Sequence, residues 1–401
     1  MKIERIVAKD WGESLQSEWS GLLDEASAPS IFLSPEWTIP WQRHFGGDRE
    51  AFAITGRDAS GRLVGLAPFY RRRLGPAALR GPRVLALLGD EGAGSEYLGI
   101  LARQGAEREF VSHVQRQMEG EWALADLRGL REDHLCTDLL IASLGSRAPG
   151  RVHRERHPCS AIRLPLDHEA YLAGLPAKFR TTVRYRTNKL VKNFKVNMFR
   201  TSREEDLYAH LERLFEMHQG RWEAERHPGS FYHPRKRAFY RDVAAAFLRR
   251  GWLRFYQLEV DGFIRASQFG FAFGGVLHSL QEAFDHEFRP QGVGGVGVVL
   301  RGMAIRECIA EGLLAYDFLG GLEEYKTRWG TATHFVQRVR IGAPGPIGGL
   351  AYLCTAGSRD ARTWIRDRLP KQVVEARDRW RVLRQARRAR RLAAMAKDVA
   401  P

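Results

Sequence analysis

Residues Phe284–Glu307 read FDHEFRPQGVGGVGVVLRGMAIRE, with Gly292, Gly294, Gly295 and Gly297 crowded before an apolar helical pattern. Three readings of this run are open, and most of the functional reading depends on the choice among them. Gly292-Val293-Gly294-Gly295-Val296-Gly297 matches the G-x-G-x-x-G string of a dinucleotide fingerprint. That fingerprint belongs after the first strand of a βαβ unit, with an acidic residue about 20 positions on. Here the preceding segments read as antiparallel strands and the run falls late in its domain, so the context opposes it. A loop that needs small residues for tight packing is the plain structural alternative. The third reading uses Arg289, Gln291, Gly292, Val293 and Gly294 as R-x-x-G-x-G, a pyrophosphate loop. A β-prone run, VLHSLQEAFD, enters this loop, and a helical one, GVVLRGMAIRECIAEG, leaves it. N–H groups at a helix start lack intrahelical partners and carry partial positive charge. Glycines, having no Cβ, let a phosphate approach that backbone. Gly295 and Gly297 then let the first helical turn pack closely.

Outward from the loop, RFYQLEVDGFIRASQFGFAF (254–273) reads as a β-hairpin turning at Asp261-Gly262. AFAITGRDASGRLVGLAPFYRRR (51–73) repeats the device around Asp58–Gly61. Each hairpin is followed by a strand, a helix and a further strand. WALADLRGL (122–130) closes the first series and LLAYDFLGGL (313–322) the second, with Asp126 and Asp317 in similar positions. The separation of about 190–200 residues marks a diverged duplication. The expected architecture is α/β (α+β): tandem domains, each a mixed, mostly antiparallel central sheet flanked by helices. The expected boundaries are residues 1–160, 161–342, and a linker with a basic helical tail at 343–401. In that tail Trp380, Leu383 and Arg387 share one helical face.

The 401 residues carry a formal charge of +16, unevenly placed. KFRTTVRYRTNKLVKNFK (178–195) contains no acid, and from Arg359 onward fourteen Lys/Arg stand against five Asp/Glu. Such fields concentrate polyanions, whether phosphorylated substrates, nucleic acid or an anionic membrane, although a solvated helix face has the same composition. No apolar run is long enough to span a bilayer, and the first residues lack the apolar core of a secretory signal. Cys136, Cys159, Cys308 and Cys354 show no metal or CxxC spacing. The expectation is a reduced cytoplasmic protein without a metal site, its tail a candidate for the inner membrane face.

Further stretches carry a family resemblance: FLSPEWTIPWQRHFG (32–46), LRGLRED (127–133), KFRTTVRYRTNKL (178–190), LFEMHQGRW (214–222) and AYDFLGGLEEYKTRWG (315–330). In their order the sequence resembles GNAT-superfamily acyltransferases of the CelD/BcsL-like, cellulose-biosynthesis group. It is similar also to the FemABX aminoacyltransferases, which carry two GNAT-like domains per chain. The resemblance implies an acyl-CoA donor, acetyl-CoA or longer, held by Arg289, Gln291, Gly292, Val293, Gly294, Gly295 and Gly297. The implied acceptor is an amine of an amino sugar, amino acid or envelope polysaccharide precursor. The FemABX side implies aminoacyl-tRNA as an alternative donor, and a non-catalytic role in polysaccharide assembly is a third reading; no stable DNA partner is expected.

Glu282, on the strand entering the loop, is then the candidate base, or a solvent-facing strand residue. Tyr325 is the candidate acid, or a packed aromatic. Lys326 is placed to stabilise an oxyanion or to cap a helix, and Asp317 faces either the site or a core network. His218, Arg221 and Trp222 are candidates to line the acceptor groove, with a satisfied core histidine as the alternative for His218. Arg180 and Arg184 are candidates to hold a phosphorylated acceptor or tRNA. Where relatives have Arg-Gly-Asp-Glu-Pro-Tyr-Lys, this chain reads Gly320 to Lys326 without the Arg and Asp, keeping Tyr325 and Lys326.

Overall fold

A computed structural model describes residues 1–75, 81–132, 134–148, 150–224 and 229–355. The helical tail expected from 356 on, with Trp380, Leu383 and Arg387, lies outside these residues. The chain divides into two compact units. The first comprises Met1–Ala161, Leu319–Glu323 and the described chain from Ala332 onward, and the second Ile162–Phe318 and Glu324–Thr331.

In chain order the first unit contains β1 (Lys2–Val7), α1 (Glu13–Glu25), α2 (Pro35–Phe45), β2 (Glu50–Arg57), β3 (Leu63–Arg73), β4 (Arg83–Leu87) and β5 (Leu101–Ala102). It continues with α3 (Glu107–Gln117), β6 (Leu124–Arg131), α4 (Leu135–Gly145) and most of β7 (Val152–Arg163). The second unit contains α5 (His168–Gly174), α6 (Ala177–Asn193), β8 (Val196–Arg200), α7 (Glu204–Ala224), α8 (Pro234–Arg249), β9 (Leu253–Val260) and β10 (Phe263–Phe273). It closes with β11 (Val276–Phe284), α9 (Gly297–Ala310), most of β12 (Ala315–Gly320) and α10 (Glu324–Thr327). β13 (Ala332–Gly342), expected within the C-terminal domain, belongs to the first unit, antiparallel to both β6 and β7.

Within each unit the strand pairing is mixed and mostly antiparallel. The order within the first unit is β1-β2-β3-β4-β6-β13-β7, with β5 paired to β3, and within the second β8-β9-β10-β11-β12. The expected hairpins are β2–β3 and β9–β10. In the second, Asp261 and Gly262 both take positive φ (51° and 83°), the backbone a tight hairpin turn demands. Each antiparallel series leads through a helix to a parallel neighbour, β4 to β6 through α3 and β11 to β12 through α9. The element order therefore repeats, as the two sequence series indicate. Among the described residues no helix is long and apolar enough to cross a membrane.

In the first unit α3 lays Phe110 across the β2–β3 hairpin, where Gly56 and Gly65 leave room for the ring. A Cβ at Gly65 would collide with that ring, meeting Cδ1 at 2.7 Å. Overpacking of this kind costs about 1–3 kcal/mol. We expect Gly65→Ala to lower the urea midpoint of the first unit accordingly, whereas Gly61→Ala, at an open turn, strains only its own positive φ.

Candidate functional site

The site begins where two strands part. β11 and β12 pair only at Val276↔Ala315, Leu277↔Tyr316 and His278↔Asp317, yet β11 runs on to Phe284 and β12 to Gly320. Just past that point the β10–β11 ladder jumps from Gly270↔Ser279 to Phe269↔Gln281, leaving Leu280 as a bulge. A bulge bends its strand and increases its twist, which carries β11 away from its parallel neighbour.

The first unit makes the same opening and closes it. β4 and β6 pair only at Val84↔Leu124 and Leu85↔Ala125. Farther along, Leu98 bridges Leu130 and donates its N–H to Gly129 O at 2.7 Å. The segment leading there, Gly89–Tyr97, is that half's nearest counterpart of the glycine loop. α2 pins it through two indoles one turn apart: Trp37 Nε1 donates to Ser95 Oγ (2.8 Å) and Trp41 Nε1 to Glu91 O (2.9 Å). The N-terminal loop is thus a plug in its own unit.

In the second unit the loop after β11 is anchored by buried Val293 and Val296. Pro290 O accepts from the N–H of Val293 (3.1 Å) and of Gly294 (3.4 Å). Gly292 and Gly294 have φ of 74° and 67°, a backbone that side chains resist. α9 then starts at Gly297 with no side-chain cap, so its first N–H groups are left for a ligand or water. Arg289 is tied into the loop, its Nε donating to His286 O at 2.9 Å, and Gln291 is exposed. Gly295 borders open space, and a Cβ at Gly297 would make only ordinary contact with Phe284. Of the expected glycines, Gly292 and Gly294 are the two the backbone requires.

The basic block proves to be α6, and its cations divide by face. A Cβ at Gly292 would collide with the Lys189 ammonium, and one at Gly294 would lie 3.4 Å from Arg186 Cζ. Lys189 and Arg186 therefore lie directly on the two left-handed glycines. Val183 of α6 packs against Gly302 of α9, where even a Cβ would come within 3.3 Å, and this close approach holds α6 beside the loop. Arg180 and Arg184, the cations singled out from sequence, are committed elsewhere. Arg180 donates to Ala173 O (2.9 Å) and Arg184 pairs with Glu169. The missed signal is spacing: Arg186 and Lys189 flank the buried positions Val183 and Leu190.

Glu282 is not the free carboxylate expected of a base. Both its oxygens are taken by Arg301 of α9, with Nε donating to Oε1 at 3.0 Å. Burial opposes the Arg301 charge, but Glu282 more than offsets this and the guanidinium pKa is raised. Arg301 is 7% exposed and lies 4.8 Å from the ring of Tyr325 and 5.6 Å from that of Trp329. Tyr325 is 44% exposed on α10, whereas Lys326 is buried and donates to Phe318 O at 3.3 Å. Asp317 faces His278, its Oδ2 3.3 Å from Nδ1, and both are buried. Strand alternation puts this pair on the opposite face from Glu282, whose neighbour Gln268 accepts from Tyr316 Oη. Tyr325 and Glu282 thus share a face with Arg301, and Asp317 does not.

His218, Arg221 and Trp222 cluster on α7. The Trp222 indole donates to His218 Nε2 at 3.0 Å, and Arg221 stacks on the rings of Trp222 (4.9 Å) and Phe284 (5.3 Å). Phe284 ends β11, so this helix meets the start of the glycine loop. Burial, then the Arg221 and Lys236 charges, push the His218 pKa down to about 4. Among the described residues no group of His, Cys, Asp and Glu could hold a metal ion.

Removing Arg301 tests whether Glu282 is structural. Arg301→Gln strands a half-buried carboxylate and is expected to cost about 3–5 kcal/mol in chemical unfolding. Arg301→Met combined with Glu282→Leu should recover most of that loss.

Residues 177–327 match the sequence model of the acetyltransferase (GNAT) domain family. No curated protein matches the chain. Among solved structures, it is similar to FemX (TM-score 0.56, 10% identity, covering 84% of this chain and 97% of that one). It is similar too to a conserved protein of unknown function from Bacteroides thetaiotaomicron (0.54, 12% identity, 82% and 97%). A third is the C-terminal domain described as that of a lysylphosphatidylglycerol synthetase of Agrobacterium fabrum (0.50, 11%, 86% and 95%). At such identities these likenesses speak for the fold. Residues 177–327, which hold the glycine loop, the parted strands and α6, thus form a GNAT-type acetyltransferase domain, and the protein is an acyltransferase.

Proposed function

We propose that this protein transfers an acyl group from acyl-CoA to an amine, the acceptor being an amino sugar, an amino acid or an envelope polysaccharide precursor. The observation that carries the reading is the placement of Lys189 and Arg186 on Gly292 and Gly294, before an α9 that starts uncapped. Two cations and a helix N-terminus converging on glycines suit a pyrophosphate. The parted strands supply a place for the pantetheine and thioester to lie against β11. In the transfer, the amine nitrogen attacks the thioester carbonyl, the C–S bond breaks, and the proton lost by the amine balances the one gained by the thiolate. Tyr325, exposed on the Arg301 face, is the group we assign to protonating that thiolate. Glu282 is assigned to holding Arg301, and the base is left to water. The resemblance to the CelD/BcsL-like group favours an exopolysaccharide-related acceptor.

One observation favours a second reading. α6 presents many cations and no acid, which also suits the phosphates of an aminoacyl-tRNA donor.

Thermal shift and equilibrium binding separate the two. Acetyl-CoA in excess should raise the melting temperature by mass action. Lys189→Glu and Arg186→Glu should each weaken CoA binding about tenfold or more, the scale of a lost charge-assisted hydrogen bond. Arg180→Glu, on the other face, should leave it unchanged. Salt-sensitive binding of charged tRNA without any response to CoA esters would hand the assignment to the second reading.

A further inference from the structure

The second unit contains a buried donor and a desolvated cation that nothing in the described chain answers. His218 is 5% exposed. Because its Nε2 accepts the Trp222 indole N–H, the proton of the neutral ring sits on Nδ1. That Nδ1 is buried without a hydrogen-bond partner. Buried polar groups are nearly always satisfied, and a stranded donor forfeits its hydration with no return. Lys236, in the first turn of α8, extends over two aromatic rings, with Nζ 5.6 Å from the centroid of Phe231 and 6.0 Å from that of Tyr240. Burial lowers its pKa, and it makes no ion pair among the described residues.

The two groups flank one ring. Phe231 is fully buried, its centroid 4.9 Å from that of His218. With the His218 pKa near 4, the imidazole is an uncharged N–H donor at neutral pH, within the field of Lys236 and Arg221. An orphaned donor, an ammonium without a counter-ion among the described residues and an aromatic wall together suit a group that only accepts hydrogen bonds and brings negative charge. A planar carboxylate meets each of these conditions. The location fits an acceptor as well, because Arg221, on the same stretch of α7, stacks on Phe284 at the entry to the glycine loop.

We propose that His218 Nδ1–H and Lys236 Nζ bind a carboxylate carried by the amine acceptor, so that the substrate is an amino acid or another amine bearing a carboxylate. The proposal rests on the acyl-CoA reading and narrows it.

The test compares amine pairs that differ only in this group, an α-amino acid against its amide, in a thiol-release assay with acetyl-CoA. His218→Phe and Lys236→Met should raise KM for the acid by about tenfold, leave KM for the amide unchanged and keep kcat within about twofold, while Lys236→Arg restores the preference. Equal rises for acid and amide, or no wild-type preference for the acid, would overturn the proposal. A second readout needs no turnover: the 15N resonance of His218 Nδ1 should move on titration with acetate in the wild type and stay fixed in Lys236→Met. A resonance indifferent to acetate in the wild type also overturns it. Failure of the donor reading is seen separately, as absence of an acetyl-CoA thermal shift, and leaves the acetate titration readable.

Discussion

The parallel ladder between β11 and β12 stops at His278 and Asp317, and the second unit is organised around that early end. Had the ladder continued to Phe284, the edge of β11 would be fully hydrogen-bonded and the sheet closed. The Leu280 bulge opposes continuation, because one extra residue bends β11 and adds twist. Everything assigned to the site lies on the chain that leaves this gap or on helices packed against it. The first unit shows the alternative outcome of the same geometry. There, two tryptophans of α2 tie the chain's own loop into place, and hydrogen bonds that a ligand could have made go to Leu98 and Ser95 instead.

A gap in a sheet becomes a binding site only when charge and backbone donors are brought to it. α6 does this through one close contact. Gly302 lets Val183 approach α9, and that approach fixes the rotation of α6, so that Arg186 and Lys189 face the loop while Arg180 and Arg184 face away. Below, the Glu282–Arg301 pair braces β11 against α9 across the same gap. A buried ion pair of this kind is poor evidence for net stability, but it is directional, and directionality is what a parted sheet lacks.

Much of the architecture was legible from local pattern. The hairpins followed from alternating apolar residues around Asp-Gly turns, and Asp261-Gly262 takes the positive φ values its sequence implies. The glycine loop was correctly set between a strand and a helix for the same reason, since glycine demand and helix starts are local properties. What pattern alone missed were relations between distant segments. Adjacency in sequence assigns β13 to the second half, whereas its hydrogen bonds run to β6 and β7. Strand position alone makes Glu282 a candidate base, because its partner Arg301 lies on a separate element, among apolar residues of α9.

The sequence by itself determined the order of elements, the two hairpin series, the glycine-requiring turn before α9 and the acid-free helix, because each depends on residues close along the chain. Only the tertiary structure decided which glycine loop stays open and which is plugged, which arginines of α6 meet it, and that Glu282 braces Arg301. Those outcomes depend on which face a helix presents and on how far a strand pair persists. Both are set by packing against residues up to a hundred or more positions away, as Trp37 on Ser95 and Val183 on Gly302 show.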